Sequence, residues 1–185
     1  MANLRSIFFA RPFVLLMNGA VHADEAPQVL ELYPEDASDA CVEGTPQIRV
    51  NVIGVTAKGI MKLELYSKED GFLRKKGRMR WIRDAAVDGP MRMCINVPAP
   101  GTYAVAGYHD LDGNRKLKKK WDFTPREPYG LSNNPEIRER RQPKFEEAAF
   151  EVGPQGTEID FILVDLKAQK KARKAAKKAA KAKKK

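Results

Sequence analysis

The sequence is poor in the residues from which catalytic centres are built. Of its 185 residues two are histidine and two are cysteine. His22 falls in a segment expected to be removed, so His109 is the one imidazole of the mature chain, and Cys41 and Cys94 form no CxxC pair. That excludes a His/Cys zinc set. Ser67 and Ser132 stand in no nucleophile-elbow motif, and neither Gly107 nor Gly113 precedes a helix start that would cradle a phosphate. Apolar runs are short as well: Arg11 and Asn18 interrupt the N-terminal one well below the roughly 20 residues of a membrane span. No helical period runs between Cys41 and Leu166. Acids are missing altogether from residues 167–185. A non-enzymatic protein without a cofactor is expected, Ca²⁺ being the one candidate ion.

What is present at the N-terminus fits export. Residues 1–23 begin with Arg5 and Arg11 and no acid, pass through an apolar stretch from Pro12 to Val21, and end Val21-His22-Ala23. That is the basic region, short apolar region and small-residue site of a signal peptide cleaved near Ala23, giving a periplasmic or secreted protein. Residues 24–40 are acidic, contain Pro27 and Pro34, and read as a leader or linker. In an oxidising compartment Cys41 and Cys94 are expected to form a structural disulfide rather than a metal pair or a reactive thiol, worth about 4 kcal/mol in the loop-entropy account.

Charge divides the chain. The formal net charge is +10, yet residues 167–185 alone carry ten Lys and one Arg, leaving −1 over residues 1–166. Setting Arg5 and Arg11 aside leaves −3 over residues 24–166. The tail is rich in Ala and Lys, both strong helix formers, but like charges at i,i+4 (Lys167 and Lys171, Lys170 and Lys174) oppose a helix in water. A partly helical or frayed extension, not packed on the body, is expected. Lys170, Lys171, Arg173, Lys174, Lys177, Lys178 and Lys181 are the candidate polyanion contacts, with counterion release as the driving force. The partners are anionic envelope polymer or lipid headgroups, or nucleic acid if export fails. A tail that only solubilises is the plain alternative. With no Trp, Phe or Leu it does not insert deeply into a bilayer.

The middle alternates with period two. Gln47–Val55 and Gly59–Tyr66 read as strands of one hairpin, Met91–Val97 and Thr102–Tyr108 as a second, Ala148–Val152 and Thr157–Val164 as a third, with Met79–Ile82 a weaker strand. About seven short strands with Pro/Gly turns predict an all-β, antiparallel Ig-like or prealbumin-like sandwich over 41–166.

One loop carries the candidate site. Asp110, Asp112 and Asn114 alternate as ligands do at positions one, three and five of a calcium loop, so a tight turn can aim them at one hard cation. Trp121 stands where the closing acid of a full loop would be, and Arg115, Lys116, Lys118 and Lys119 follow. An Asx-rich turn bonding its own backbone is the competing reading, with Asp122 and Glu127 as completing ligands otherwise. Long loops in small domains tend to be functional, and Tyr129 either stacks on a ligand or covers the core. The candidate ligand-facing set is His109, Asp110, Asp112, Asn114, Glu127, Tyr129, Ser132, Asn133 and Asn134.

His109-Asp-Leu-Asp-Gly-Asn114, Pro125-Arg-Glu-Pro-Tyr-Gly-Leu-Ser-Asn-Asn134 and Pro143-Lys-Phe-Glu-Glu-Ala-Ala-Phe150 resemble the bacterial family called domain of unknown function 2141. The resemblance runs from about Gln47 to Leu166. It implies exported β-sandwich proteins with no assigned activity. Arg115 and Lys118 stand where that family's pattern has Gly and Asp, a departure that weakens a cation site. Three functions are thus expected in order: an exported envelope binding module tethered by its tail, a nucleic-acid-associated basic protein, and a calcium-responsive module acting through the 109–134 loop.

Overall fold

The computed structural model describes residues 30–121, 124–137 and 141–182; the signal-like segment 1–23 and Asp122 lie outside them. Period-two alternation builds eight strands among the described residues: β1 (Gln47–Val55), β2 (Ile60–Tyr66), β3 (Arg80–Ala85), β4 (Gly89–Asn96), β5 (Gly101–Asp110), β6 (Tyr129–Leu131), β7 (Phe150–Val152) and β8 (Thr157–Ile162). One sheet has the order β4-β1-β8, the other β3-β2-β5-β6 with β7 also paired to β5. Between them Ile48, Val50 and Val52 of β1 meet Met61, Leu63 and Leu65 of β2, with Met93, Val105 and Phe161. Each such buried side chain contributes about 2 kcal/mol. The all-β sandwich is as expected.

Its wiring is not. The three expected hairpins are all absent, because each of those connections takes the chain away from its predecessor instead of beside it. β1 pairs antiparallel with β4, Val50 opposite Met93, and parallel with β8, Val50 opposite Ile159. β2 pairs with β3 and β5, both antiparallel, and β7 pairs with β5. The three-stranded sheet is therefore mixed, not antiparallel. An immunoglobulin constant domain orders its strands ABED and CFG; here the first strand lies between the fourth and the last. The strand missed is β6, a three-residue element set opposite Ala106–Tyr108 of β5. A short helix also went unforeseen, α1 (Phe145–Ala148).

The outer face of the five-stranded sheet is covered as well. Since Met61, Leu63 and Leu65 point to the core, Lys62, Glu64 and Tyr66 point outward. Tyr66, Phe72, Ala104, Ala106, Leu131 and Ala148 form a second apolar cluster there, with Tyr66 on Phe72 and Phe72 on Phe145 edge to face at 5.1 and 5.6 Å.

The acidic segment before Cys41 is docked, not a linker, over the part described. Asp39 accepts two hydrogen bonds from Arg80 of β3, at 2.6 and 2.8 Å, and one from the backbone N–H of Asn96 in β4 at 2.7 Å. It thereby straps the two sheets together on their open side. Asp36 receives Arg83, Arg115 and the Trp81 indole. The expected disulfide Cys41–Cys94 is formed, across a sequence separation of 53.

The chain leaves the sandwich as one helix, α2 (Leu166–Ala182). Asp165 caps it, its carboxylate accepting from the N–H groups of Lys167 and Ala168 at 2.8 and 3.0 Å, which satisfies two of the helix's orphan donors. Leu166 is buried and residues 167–180 are all exposed. The partly helical or frayed extension expected is a helix over Leu166–Ala182, exposed from residue 167 to residue 180. Spaced by three and four residues, Lys167, Lys170, Lys171, Lys174, Lys177 and Lys178 share one face with the Lys181 position, and Ala lines the other.

Candidate functional site

β5 ends in His109 and Asp110, and the loop after it folds back on both. His109 is buried; its Nε2–H donates to the Lys58 carbonyl at 2.6 Å, and its backbone N–H donates to Pro128. The imidazole therefore ties the β1–β2 connection to the loop. Asp110 is also buried, and its Oδ2 accepts from the Arg115 N–H. Arg115 holds a left-handed φ of 64°, which aims that N–H back at Asp110 while its guanidinium reaches away to Asp36 at 2.9 Å and lies over the Tyr33 ring at 4.3 Å. Asn114 forms the expected Asx turn, its Oδ1 accepting from Lys116 N–H at 2.8 Å.

Glu127 comes in from the far side of the loop, buried, with Oε2 accepting from Lys118 N–H at 3.1 Å. Asp110, Asp112 and Glu127 each offer a carboxylate oxygen within 4.8 Å of the other two. Glu127, expected as a completing ligand, thus stands with Asp110 and Asp112, while the Asn114 side-chain oxygen serves its own turn. Lys118 pairs with Asp112, and Asp110 Oδ1 is buried with no hydrogen-bond partner. Burial pushes the Asp110 and Glu127 carboxyls above the ordinary carboxylate range, while the Lys118 ammonium holds exposed Asp112 below it.

The sign of the pH dependence follows. A carboxyl whose folded pKa is raised binds its proton more tightly folded than unfolded, so its stabilising contribution is full below the unfolded value and lost as pH rises through the folded one. Asp110→Asn is expected to raise stability at pH 7 in chelator by about 1 kcal/mol and to flatten the gain that the wild type shows on acidification. Urea unfolding at pH 7 and pH 5 measures both. A variant less stable at pH 7 with an unchanged pH slope would show that Asp110 is not under strain.

Ser132, Asn133 and Asn134 are placed as stitching. Ser132 is fully buried where β6 ends on β5. Its N–H donates to Val105 O, its Oγ accepts from Val105 N–H at 2.9 Å, and its hydroxyl donates to Ala148 O. Asn133 and Asn134 hold positive φ, which Asn tolerates. Asn133 donates to Ala149 O, and Asn134 brackets the β8 edge through Asp160 O and Ile162 N–H. Ser132→Ala orphans the Val105 N–H and the Ala148 carbonyl and is expected to cost about 2 kcal/mol, read as a fall in urea midpoint. Tyr129 sits opposite Tyr108 and bridges through its backbone to Val164, so it closes one side of the sandwich; burial raises its phenol to about 12.

A cavity of about 830 Å³ opens on the outer face of the five-stranded sheet, floored by Ala106, Tyr108, Tyr129 and Leu131. Among the described residues that line it nine are charged, and of these Glu64 alone is acidic. Glu64 accepts from Lys62, from Arg78 at 2.7 Å and from the Tyr66 hydroxyl at 2.7 Å. Sequence reasoning missed this site. Its signal was Lys62 and Glu64 on the outward phase of a strand whose other face is core.

Residues 50–160 match the model of a family described as an uncharacterized protein conserved in bacteria, DUF2141. No curated protein and no solved structure matches the chain.

Proposed function

We propose, from the premise that this chain belongs to the bacterial family DUF2141, that it is an exported, non-enzymatic binding module of the cell envelope whose C-terminal helix engages anionic polymer or lipid headgroups. The sandwich is read as the prealbumin-like rather than the Ig-like variety, since its first strand lies between the fourth and the last. The observation that carries the functional reading is α2: seventeen residues, about 25 Å long, with no acid and with residues 167–180 wholly exposed. Such a rail matches a linear polyanion, whose charges neutralise the Lys–Lys repulsion. The disulfide is compatible with an oxidising compartment, and no helix among the described residues is long and apolar enough to cross a membrane.

Cell fractionation with sequencing of the mature N-terminus tests export; uncleaved protein in the cytosol defeats it and favours the nucleic-acid reading. For the tail, changing Lys170, Lys171, Lys174, Lys177 and Lys178 to Gln is expected to weaken binding to a polyuronate chain and to anionic vesicles at least tenfold. Raising salt from 50 to 200 mM should weaken the wild type on the order of a thousandfold if about seven charges are neutralised. Binding unchanged in the variant would remove the tail from the proposal.

A second reading, a calcium-responsive module, is favoured by the buried, unpartnered Asp110 Oδ1 beside Asp112 and Glu127. Three carboxylates are hard oxygen donors suited to Ca²⁺, and Lys118 is the internal competitor. Millimolar Ca²⁺ is then expected to raise the melting temperature of the wild type but not of Asp110→Asn, because a ligand held only by the folded state must stabilise it. No shift in the wild type ends this reading.

A further inference from the structure

The cavity on the outer face of the five-stranded sheet has a chemistry of its own, separate from both the tail and the carboxylate loop. Its volume, about 830 Å³, lies in the range of small-molecule sites. Its wall is cationic in two tiers. At the floor Lys62 and Arg78 share Glu64, their one carboxylate among the described residues, so one positive charge there is left over. At the rim Arg115 and Arg141 are engaged by Asp36 and Glu147. Arg74, Lys75, Lys116 and Lys119 line the cavity, are exposed, and make no ion pair among the described residues. Two tyrosine rings and the side chains of Leu131 and Leu117 also line it. Four free cations converging on one opening cost electrostatic repulsion that a bound anion would relieve.

We propose that this cavity binds a small organic polyanion, two or more phosphate or carboxylate groups on a frame about the size of a sugar or disaccharide. The rim cations take the charges, the uncompensated floor charge holds one end, and Tyr108 and Tyr129 present apolar ring surface to the frame. An inorganic anion fills only a fraction of the volume and meets one tier. A polymer threaded on α2 needs none of these residues, so the two proposals stand or fall apart.

Calorimetric titration of the full mature chain at low salt tests the proposal with two probes, glucose 1,6-bisphosphate and digalacturonate, and inorganic phosphate as the frameless reference. The expected result is micromolar binding of at least one probe, tenfold or more tighter than inorganic phosphate. Lys75→Glu/Lys116→Glu/Lys119→Glu should weaken it at least tenfold, since even one exposed charge pair contributes up to about fivefold. Lys170→Gln/Lys171→Gln/Lys174→Gln/Lys177→Gln should leave it unchanged. The milder Lys116→Gln/Lys119→Gln variant gives a partial loss and guards against a folding defect. No binding of either probe at millimolar concentration, equal affinity for inorganic phosphate, or loss in the tail variant with retention in the rim variants would each overturn it. Which probe binds tells phosphate from carboxylate recognition.

Discussion

Serine at both Cys41 and Cys94 is expected to lower unfolding free energy by about 4 kcal/mol, the loop-entropy figure for closing a segment of this length. The bond joins residues 53 apart in sequence, so breaking it frees β1, β2, β3 and their connections in the unfolded chain. In the folded state the loss is local. Cys94 is fully buried in β4, and Cys41 lies in the segment that Asp39 and Gln47 also hold. Gln47 donates to Ala40 O at 2.9 Å and accepts from Val42 N–H at 3.0 Å, so the strap keeps its course without the bond. The double variant should therefore fold, unfold at lower urea, and show a larger m-value, because its unfolded state exposes more surface. A loss below about 1 kcal/mol would place the strap's stability in the Asp39–Arg80 pair instead. For a domain with a typical margin of 5–15 kcal/mol, the expected loss also means that the reduced chain is a poor folder, which fits a protein that matures where thiols oxidise.

Strand period told which residues face the core, and it was right for Ile48, Val50, Val52, Met61, Leu63 and Leu65. It could not tell neighbours apart. A hairpin and a crossing between sheets bury the same alternate residues, and the connections at 56–59, 98–101 and 153–156 lack the two-residue Asn-Gly type of turn that specifies a hairpin. The parallel β1–β8 pair joins residues more than a hundred apart, beyond any local signal. β6 has three residues, too few for a period to register, and its place depends on Gly130 passing Phe161, where a Cβ would lie 2.7 Å from the ring. The carboxylate loop was partly legible: Asp110 and Asp112 were visible by spacing and Glu127 as a completing acid, while the diversion of Asn114 to Lys116 N–H depends on backbone geometry.

Net charge hid the rest. A body near −3 suggests nothing basic, yet Asp36 and Asp39 are used up internally on Arg80, Arg83 and Arg115 along the strap. The cavity on the outer sheet face gathers Arg74, Lys75, Lys116 and Lys119 within that near-neutral sum. A summed charge cannot report where on the molecule the cations gather.

Gly59→Ala is the second large effect, expected to cost about 3 kcal/mol or more. Gly59 holds a φ of +75°, and a Cβ built there would lie 1.9 Å from the Asp110 carbonyl oxygen and 3.0 Å from Leu111 C. The left-handed conformation alone costs a side chain about 1–2 kcal/mol; the overlap with backbone adds at least as much, since neither atom is the end of a flexible chain. Gly89 separates the two contributions. Its φ is +87° and a Cβ there meets nothing within 4 Å, so Gly89→Ala should show the conformational cost by itself. Urea unfolding of the pair is expected to place Gly59→Ala at least 1 kcal/mol below Gly89→Ala, with equal losses counting against the contact. The contact matters because it falls on Asp110. Pushed by a methyl at Gly59, the end of β5 must shift, and His109, which reaches Lys58 O in the same turn, shifts with it. A calcium response present in the wild type should then disappear in Gly59→Ala and persist in Gly89→Ala, which would make the β1–β2 connection the rigid wall against which the carboxylate loop is built.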